Sequence, residues 1–121
     1  PYAEGRFDAV VSFGALHHAR QPSVFLGEAY RVLSPGGRFC LIDGYGRPTF
    51  RAIHKAVRRF GGSFVAAALY WCGSKDCLPR DEIASVVSTS GLPGIEATFD
   101  GILTIISGVK KNTIERLADA P

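Results

Sequence analysis

The sequence predicts an α/β fold: a parallel strand, helix, strand unit, then further helices, then a closing antiparallel hairpin. Three observations predict it. Phe7–Phe13 and residues 38–43 are short, nearly continuous apolar runs, the pattern of parallel strands covered on both faces. Between them Val24, Phe25, Ala29, Val32 and Leu33 recur at helical spacing, and the short connections suit a right-handed crossover. Glycine, at 14 of 121 residues, exceeds the roughly 7% of average usage and points to many tight strand-to-helix turns.

The elements follow in order. Phe7–Phe13 is the first strand, closed by Gly14. Ser23 is the expected cap of the helix that follows, with Glu28 and Arg31 on its polar side. Ser34-Pro35-Gly36-Gly37 stops that helix, because proline cannot continue the ladder and glycine accepts the left-handed turn. Residues 38–43 make the second strand, and Gly44-Tyr45-Gly46-Arg47-Pro48 is a loop at its carboxyl end, where open α/β sheets place ligands. From about Thr49 a helix presents Phe50, Ile53, Val57, Phe60 and Phe64 as an inward stripe, with a break at Gly61-Gly62 and a continuation through residues 64–72. Residues 81–89 form another helix with Ile83, Val86 and Val87 inward and Gly91 past its end. Residues 95–99 and 102–109 then read as a hairpin turning at Asp100-Gly101, and the residues after Lys110 as a short helix or frayed tail.

Composition bounds the function. A chain of 121 residues with 46% hydrophobic and 21% charged residues is one globular domain with a real core. No apolar run nears the roughly 18–20 residues of a membrane span and no basic-then-apolar leader opens the chain, so it is expected to be soluble and cytoplasmic, without a membrane partner. A net charge of +3 is too small to make nucleic acid the default partner, since an electrostatic footprint needs a clustered basic face, and no nucleic-acid partner is expected. Cys40, Cys72 and Cys77 are an odd number without framework or paired-ligand spacing; Cys40 reads as a small buried hydrophobe, and a cytoplasmic setting disfavours a disulfide between the other two. Methionine is absent even at position 1, so the chain is expected to be a piece of something longer.

Two stretches carry a resemblance. Pro1-Tyr2-Ala3-Glu4-Gly5-Arg6-Phe7-Asp8-Ala9-Val10-Val11-Ser12 followed by Leu16-His17-His18, and Glu28-Ala29-Tyr30-Arg31-Val32-Leu33-Ser34-Pro35-Gly36-Gly37-Arg38-Phe39, resemble the class I S-adenosylmethionine-dependent methyltransferases of the small-molecule, ubiquinone-methylase-like group. The resemblance implies a partial Rossmann-like methyltransferase sheet, the carboxyl half of the domain, lacking the amino-terminal strands. It implies S-adenosylmethionine as cofactor of the complete domain and a small-molecule acceptor. Ser12, Phe13, Gly14 and Leu16 then lie beside the reactive end of the cofactor, with His17 in the same loop. The family's glycine-rich cofactor loop and its two cofactor-binding acids have no counterpart in residues 1–121, so the isolated chain is expected not to be competent alone.

The residues themselves leave alternatives open. His17 is the candidate catalytic base, since a neutral histidine takes a proton from a hydroxyl or amine near pH 7. The competing reading has one of His17 and His18 packed and the other solvated. Neighbours on an extended loop point apart and no Cys or acid stands at a ligand-like interval, so no metal site is expected. Asp43-Gly44-Tyr45-Gly46 matches a cofactor glycine loop only weakly and reads as a flexible turn. Arg51, Lys55 and Arg59 stack on one side of a helix, a stripe fit for an acidic substrate, a phosphate or a membrane surface, or simply a solvated face that includes His54 and Arg58. Phe64, Tyr70 and Trp71 suit either an aromatic lid or helix packing. With its other neighbour missing, the strand Phe7–Phe13 is expected to expose an unpaired apolar edge and to self-associate or to meet an amino-terminal half. A non-catalytic half-domain serving as a binding or assembly module is the rival to the enzyme.

Overall fold

A computed structural model describes residues 2–63, 70–71 and 73–111 of the protein. Strand β1 (Phe7–Phe13) leads through a short 3-10 turn at Leu16–His18 into helix α1 (Pro22–Val32), which runs directly into β2 (Leu33–Gly44). Helix α2 (Phe50–Phe60) and helix α3 (Arg80–Thr89) follow, and β3 (Ile95–Asp100) and β4 (Leu103–Val109) close the chain as a hairpin. The sheet has four strands in the order β1-β2-β4-β3, with β1 parallel to β2 and the other pairs antiparallel. This is the predicted α/β architecture.

Local chemistry explains most boundaries and corrects some expectations. Helix α1 starts at Pro22, with Gln21 as the flanking residue and no side-chain cap, so Ser23 lies inside the first turn and caps nothing. Proline suits that first position because its ring presets φ and no N–H is needed there. The Pro-Gly-Gly stop works as expected, yet β2 begins before it, at Leu33. The glycines form an irregularity in the strand, where the β1–β2 register shifts between Phe7 and Ala9. Lys110 takes up the backbone groups this leaves: Gly36 N–H donates to its carbonyl at 2.8 Å and its own N–H donates to Gly37 at 2.9 Å. Its ammonium also donates to the carbonyls of Arg31 and Leu33, a cation at the carboxyl end of α1 where the helix dipole favours one.

The core lies on one face of the sheet. Leu26 of α1 and Ile83 and Val87 of α3 pack over Leu33, Phe39, Leu41 and Ile106. The opposite parity is much more open. Cys40 is only half-buried, and on β1 the residues Val11 and Phe13 are 73% and 78% exposed. Strand β1 was expected to be covered on both faces, but α1 and α3 share the other face and no described element lies over Val11 and Phe13. Nor does a second described strand flank β1.

Helix α2 also departs from expectation. Thr49 caps it, its hydroxyl accepting from Ala52 N–H at 3.2 Å, and Gly61 ends it in the left-handed region. Of the predicted inward stripe, Phe50 is 77% exposed and Ile53 and Val57 are half-buried, and the buried residue among those described on this helix is Ala56. The helix instead approaches the hairpin turn through small and charged groups: Ala52 and Ala56 stand beside Gly101, while Lys55 and Arg59 pair with Asp100. Asp100 is therefore the last strand residue, opposite Leu103, and the turn is Gly101-Ile102, one position later than predicted. Helix α3 matches expectation, with Ile83 and Val87 inward, Asp81 and Glu82 in its first turn and Gly91 beyond its end. Phe64, Cys72 and the tail from residue 112 lie outside the described residues.

Candidate functional site

The carboxyl ends of β1 and β2 are held side by side, Phe13 opposite Ile42, with Gly14 N–H donating to Ile42 at 2.8 Å. From there the chain turns sharply. Leu16 drops into the core at 4% exposure and anchors the 3-10 turn, which carries His17 over the end of β2. There it meets Asp43, a carboxylate only 5% exposed. Asp43 accepts from the His17 backbone N–H at 3.1 Å and from Gly44 N–H at 2.7 Å, and one of its oxygens lies 2.8 Å from His17 Nδ1. In neutral imidazole, Nδ1–H donating to this carboxylate leaves Nε2 as the proton acceptor. A carboxylate behind an imidazole both orients the ring and stabilises the imidazolium once a proton arrives.

Asp43 is the residue that sequence reasoning missed as a site residue. The signal was present: it shares the parity of Phe39 and Leu41, so an acid at the strand end belonged on the buried face. His17 and His18 do not point apart, because the segment is a 3-10 turn and not an extended loop; their rings lie 3.9 Å apart between centroids. Among the described residues no group of three His, Cys, Asp or Glu side chains comes together.

The exit from β2 is packed, not flexible. A Cβ at Gly44 would stand 2.6 Å from the Tyr70 hydroxyl, and one at Gly46 would run into the carbonyl of Cys77. Gly46 N–H donates to Leu78 at 2.8 Å, tying the loop to the segment before α3. Both glycines thus answer to the close approach of Tyr70, Ser74 and Cys77, which explains the Gly-x-Gly spacing without a cofactor loop. Tyr45 between them is buried, donates to the Gly101 carbonyl at 2.8 Å and meets Phe99 edge to face. Tyr70 lies with its hydroxyl 3.0 Å from the Ile102 carbonyl and 3.2 Å from that of Tyr45. Burial pushes its ionisation up to about 12. Burial also raises the Cys77 thiol, with the negative charge of Asp43 adding to the effect.

The remaining candidates divide. Ser12 is half-buried, Phe13 is exposed, and no described atom lies within 4 Å of where a Cβ on Gly14 would stand. Open space therefore adjoins Gly14, whereas the Leu16 side chain is committed to the core. Across from Asp43 in register, Thr104 is fully buried and its hydroxyl has no hydrogen-bond partner among the described residues. Of the basic stripe, Lys55 lies 2.6 Å from Asp100 and Arg59 pairs with the same carboxylate. Lys55's hydrogen bond is the main cause that holds the Asp100 carboxyl below its ordinary pKa and so keeps it ionised. Arg51 instead lines an open cleft of about 480 Å³ that Tyr45 and Gly46 share. Tyr70 is half-buried and Trp71 exposed. No helix among the described residues is long and apolar enough to cross a membrane.

Sheet order, crossover and strand-end geometry together define a Rossmann-like methyltransferase fold. Residues 1–41 match the family described as a methyltransferase domain. The chain is similar to an S-adenosylmethionine-dependent methyltransferase of Aquifex aeolicus, with TM-score 0.58 and 14% identity over 91% of this chain and 49% of that one. A second such enzyme, from Thermotoga maritima, gives TM-score 0.57 and 17% identity over 92% of this chain and 59% of that one. Sterol methyltransferase-like 3 of Botryococcus braunii is 40% identical over 50 residues, 41% of this chain and 13% of that protein. The chain thus shares the fold of these methyltransferases, its amino-terminal segment resembles a methyltransferase domain, and it spans about half the length of these solved relatives.

Two outcomes follow from the site. Asp43→Ala leaves the His17 and Gly44 amides without their acceptor, and urea denaturation is expected to find a loss of about 1–3 kcal/mol. His17→Ala keeps both amide bonds and is expected to cost about 1 kcal/mol or less. Tyr70 has a folded-state pKa of about 12 against 10.0 for the free group, so above pH 10 the unfolded chain holds fewer protons than the folded one. Its stabilising contribution is complete below that pH and is lost as pH rises through the folded value. Denaturation midpoints measured across this window should fall for the native chain, and Tyr70→Phe should remove this part of the fall.

Proposed function

We propose that the chain is the carboxyl-side half of a cytoplasmic methyltransferase that transfers a methyl group from S-adenosylmethionine to a small molecule, and that it does not turn over by itself. The observation that carries this reading is the Asp43–His17 pair at the joined ends of β1 and β2. When bound, the cofactor supplies an electrophilic methyl carbon. Much of the barrier to such a displacement is lowered by alignment alone, so the main task of the backbone at Ser12, Phe13, Gly14 and Leu16 is positioning. His17 has the second task. Its Nε2 takes the proton of an acceptor hydroxyl or amine, while Asp43 holds the ring and balances the charge that results.

Calorimetric titration with S-adenosylhomocysteine tests the reading. The expected result is no saturable heat with the chain alone, and saturable heat once the chain is extended by the coding sequence upstream of Pro1. In that longer protein His17→Ala should lower kcat more than it changes cofactor affinity. An extended protein that still gives no heat would leave the non-catalytic module as the better reading.

The open edge of β1 favours a partner under either reading. Its outward backbone groups have no described strand beside them, and Val11 and Phe13 make the adjoining face apolar. The proposed occupant is an amino-terminal half or, in the isolated chain, a second copy. Sedimentation at micromolar concentration should find species above the monomer mass, and Val11→Lys, which places a charge on that ribbon, should return the chain to monomer. Monomeric native chain under these conditions would count against the pairing.

A further inference from the structure

We infer that the cleft at the carboxyl end of β2 binds the phosphate group of a small phosphorylated molecule. Calling that molecule the methyl acceptor rests on the function proposed above; the binding itself does not. The cleft has a volume of about 480 Å³, within the roughly 300–1,000 Å³ of small-molecule sites. Neither His17 nor Asp43 lines it, but Tyr45 and Gly46, two and three residues beyond Asp43, do.

Its walls carry charge from separate parts of the chain. Arg47 comes from the β2–α2 loop, Arg51 and Lys55 from α2, and Arg80 and Asp81 from the start of α3. Lys55 is already held by Asp100. Arg47, Arg51 and Arg80 have no carboxylate partner among the described residues, so the lining holds three unpaired arginines against one acid, Asp81. A solvated helix face explains one row of cations on one helix. It does not explain arginines from three segments lining one concavity.

Two of the arginines are held in place. The Arg80 guanidinium lies 4.4 Å from the centroid of the Phe99 ring, which fixes it against the aromatic wall. Arg47 has a φ of 54°, the one non-glycine residue with positive φ among those described. The residue before a proline normally takes an extended backbone, so Arg47 sits against its own preference twice over. Its neighbours enforce this: Gly46 is pinned to Leu78 and Pro48 is fully buried. Glycine would meet the backbone demand without strain, yet the position carries an arginine at the wall of the cleft, and strain of this kind concentrates at ligand sites. A guanidinium fork pairs with carboxylate and phosphate alike, but three arginines supply more charge and more donors than one carboxylate can use, which favours a dianion with three terminal oxygens. The compact volume favours a small phosphate ester over a polymer.

Calorimetric titration of the 121-residue chain with phenyl phosphate, inorganic phosphate and benzoate at about 0.15 M salt tests the inference. Phenyl phosphate should bind saturably and several-fold more tightly than either of the others. Arg51→Ala should weaken it at least tenfold, Asp81→Asn should tighten it, and Arg58→Ala, on the same helix but outside the cleft, should leave it unchanged. Arg47→Gly should raise the melting temperature while weakening phenyl phosphate, a pairing that a purely structural arginine would not produce. Absence of saturable binding would overturn the inference. So would equal losses in Arg58→Ala and Arg51→Ala, which mark a diffuse field, or inorganic phosphate binding as tightly as the ester, which marks a site for the free ion. Because no cofactor is present in these titrations, their outcome is independent of the S-adenosylhomocysteine result.

Discussion

The parallel pairing of β1 with β2 is the constraint on which the rest of the molecule depends. It brings two strand ends together although some 30 residues of chain separate them, and Asp43 then locks the junction. A buried carboxylate needs donors, and this one takes two amides and an imidazole, all from the turn after β1 or the residue after itself. The acid is thereby stabilised, and the turn is fixed in the shape that presents His17. Without the Leu16 anchor the turn would have no reason to lie there; without Asp43 the histidine would have no fixed orientation.

Beyond that junction, the loop after β2 is a place where close packing decides conformation. Tyr70, Cys77 and Leu78 press against Gly44 and Gly46, and Tyr45 reaches across to the hairpin turn. Helix α2 is attached to the same turn by Ala56 and by the two cations on Asp100. These contacts join the loop, α2, the start of α3 and the hairpin around one opening, which is how the arginines of the cleft come to share a space.

The uneven covering of the sheet has a simple origin. Helices α1 and α3 both lie on the Phe39 and Leu41 face, leaving Val11 and Phe13 on the other. An apolar run of that kind evolves where both faces are covered, so its composition describes a more complete surrounding than the described residues supply.

The sequence by itself determined the α/β class, the strand-helix-strand unit, the helix stop at Pro35-Gly36-Gly37, the Thr49 start of α2 and the closing hairpin, because each of these rests on local periodicity or on the backbone limits of proline and glycine. It also carried the family resemblance in its opening residues. Tertiary structure alone decided which face of β1 is covered, that Phe50 is exposed while Ala56 is buried, that the hairpin turns one residue later, and that Gly44 and Gly46 serve packing. It alone brought Asp43 to His17 and Arg47, Arg51 and Arg80 to one cleft. Spacing along a chain specifies neighbours within one turn or one strand; contacts between residues 26 or more positions apart depend on how the elements stack, which no local pattern encodes.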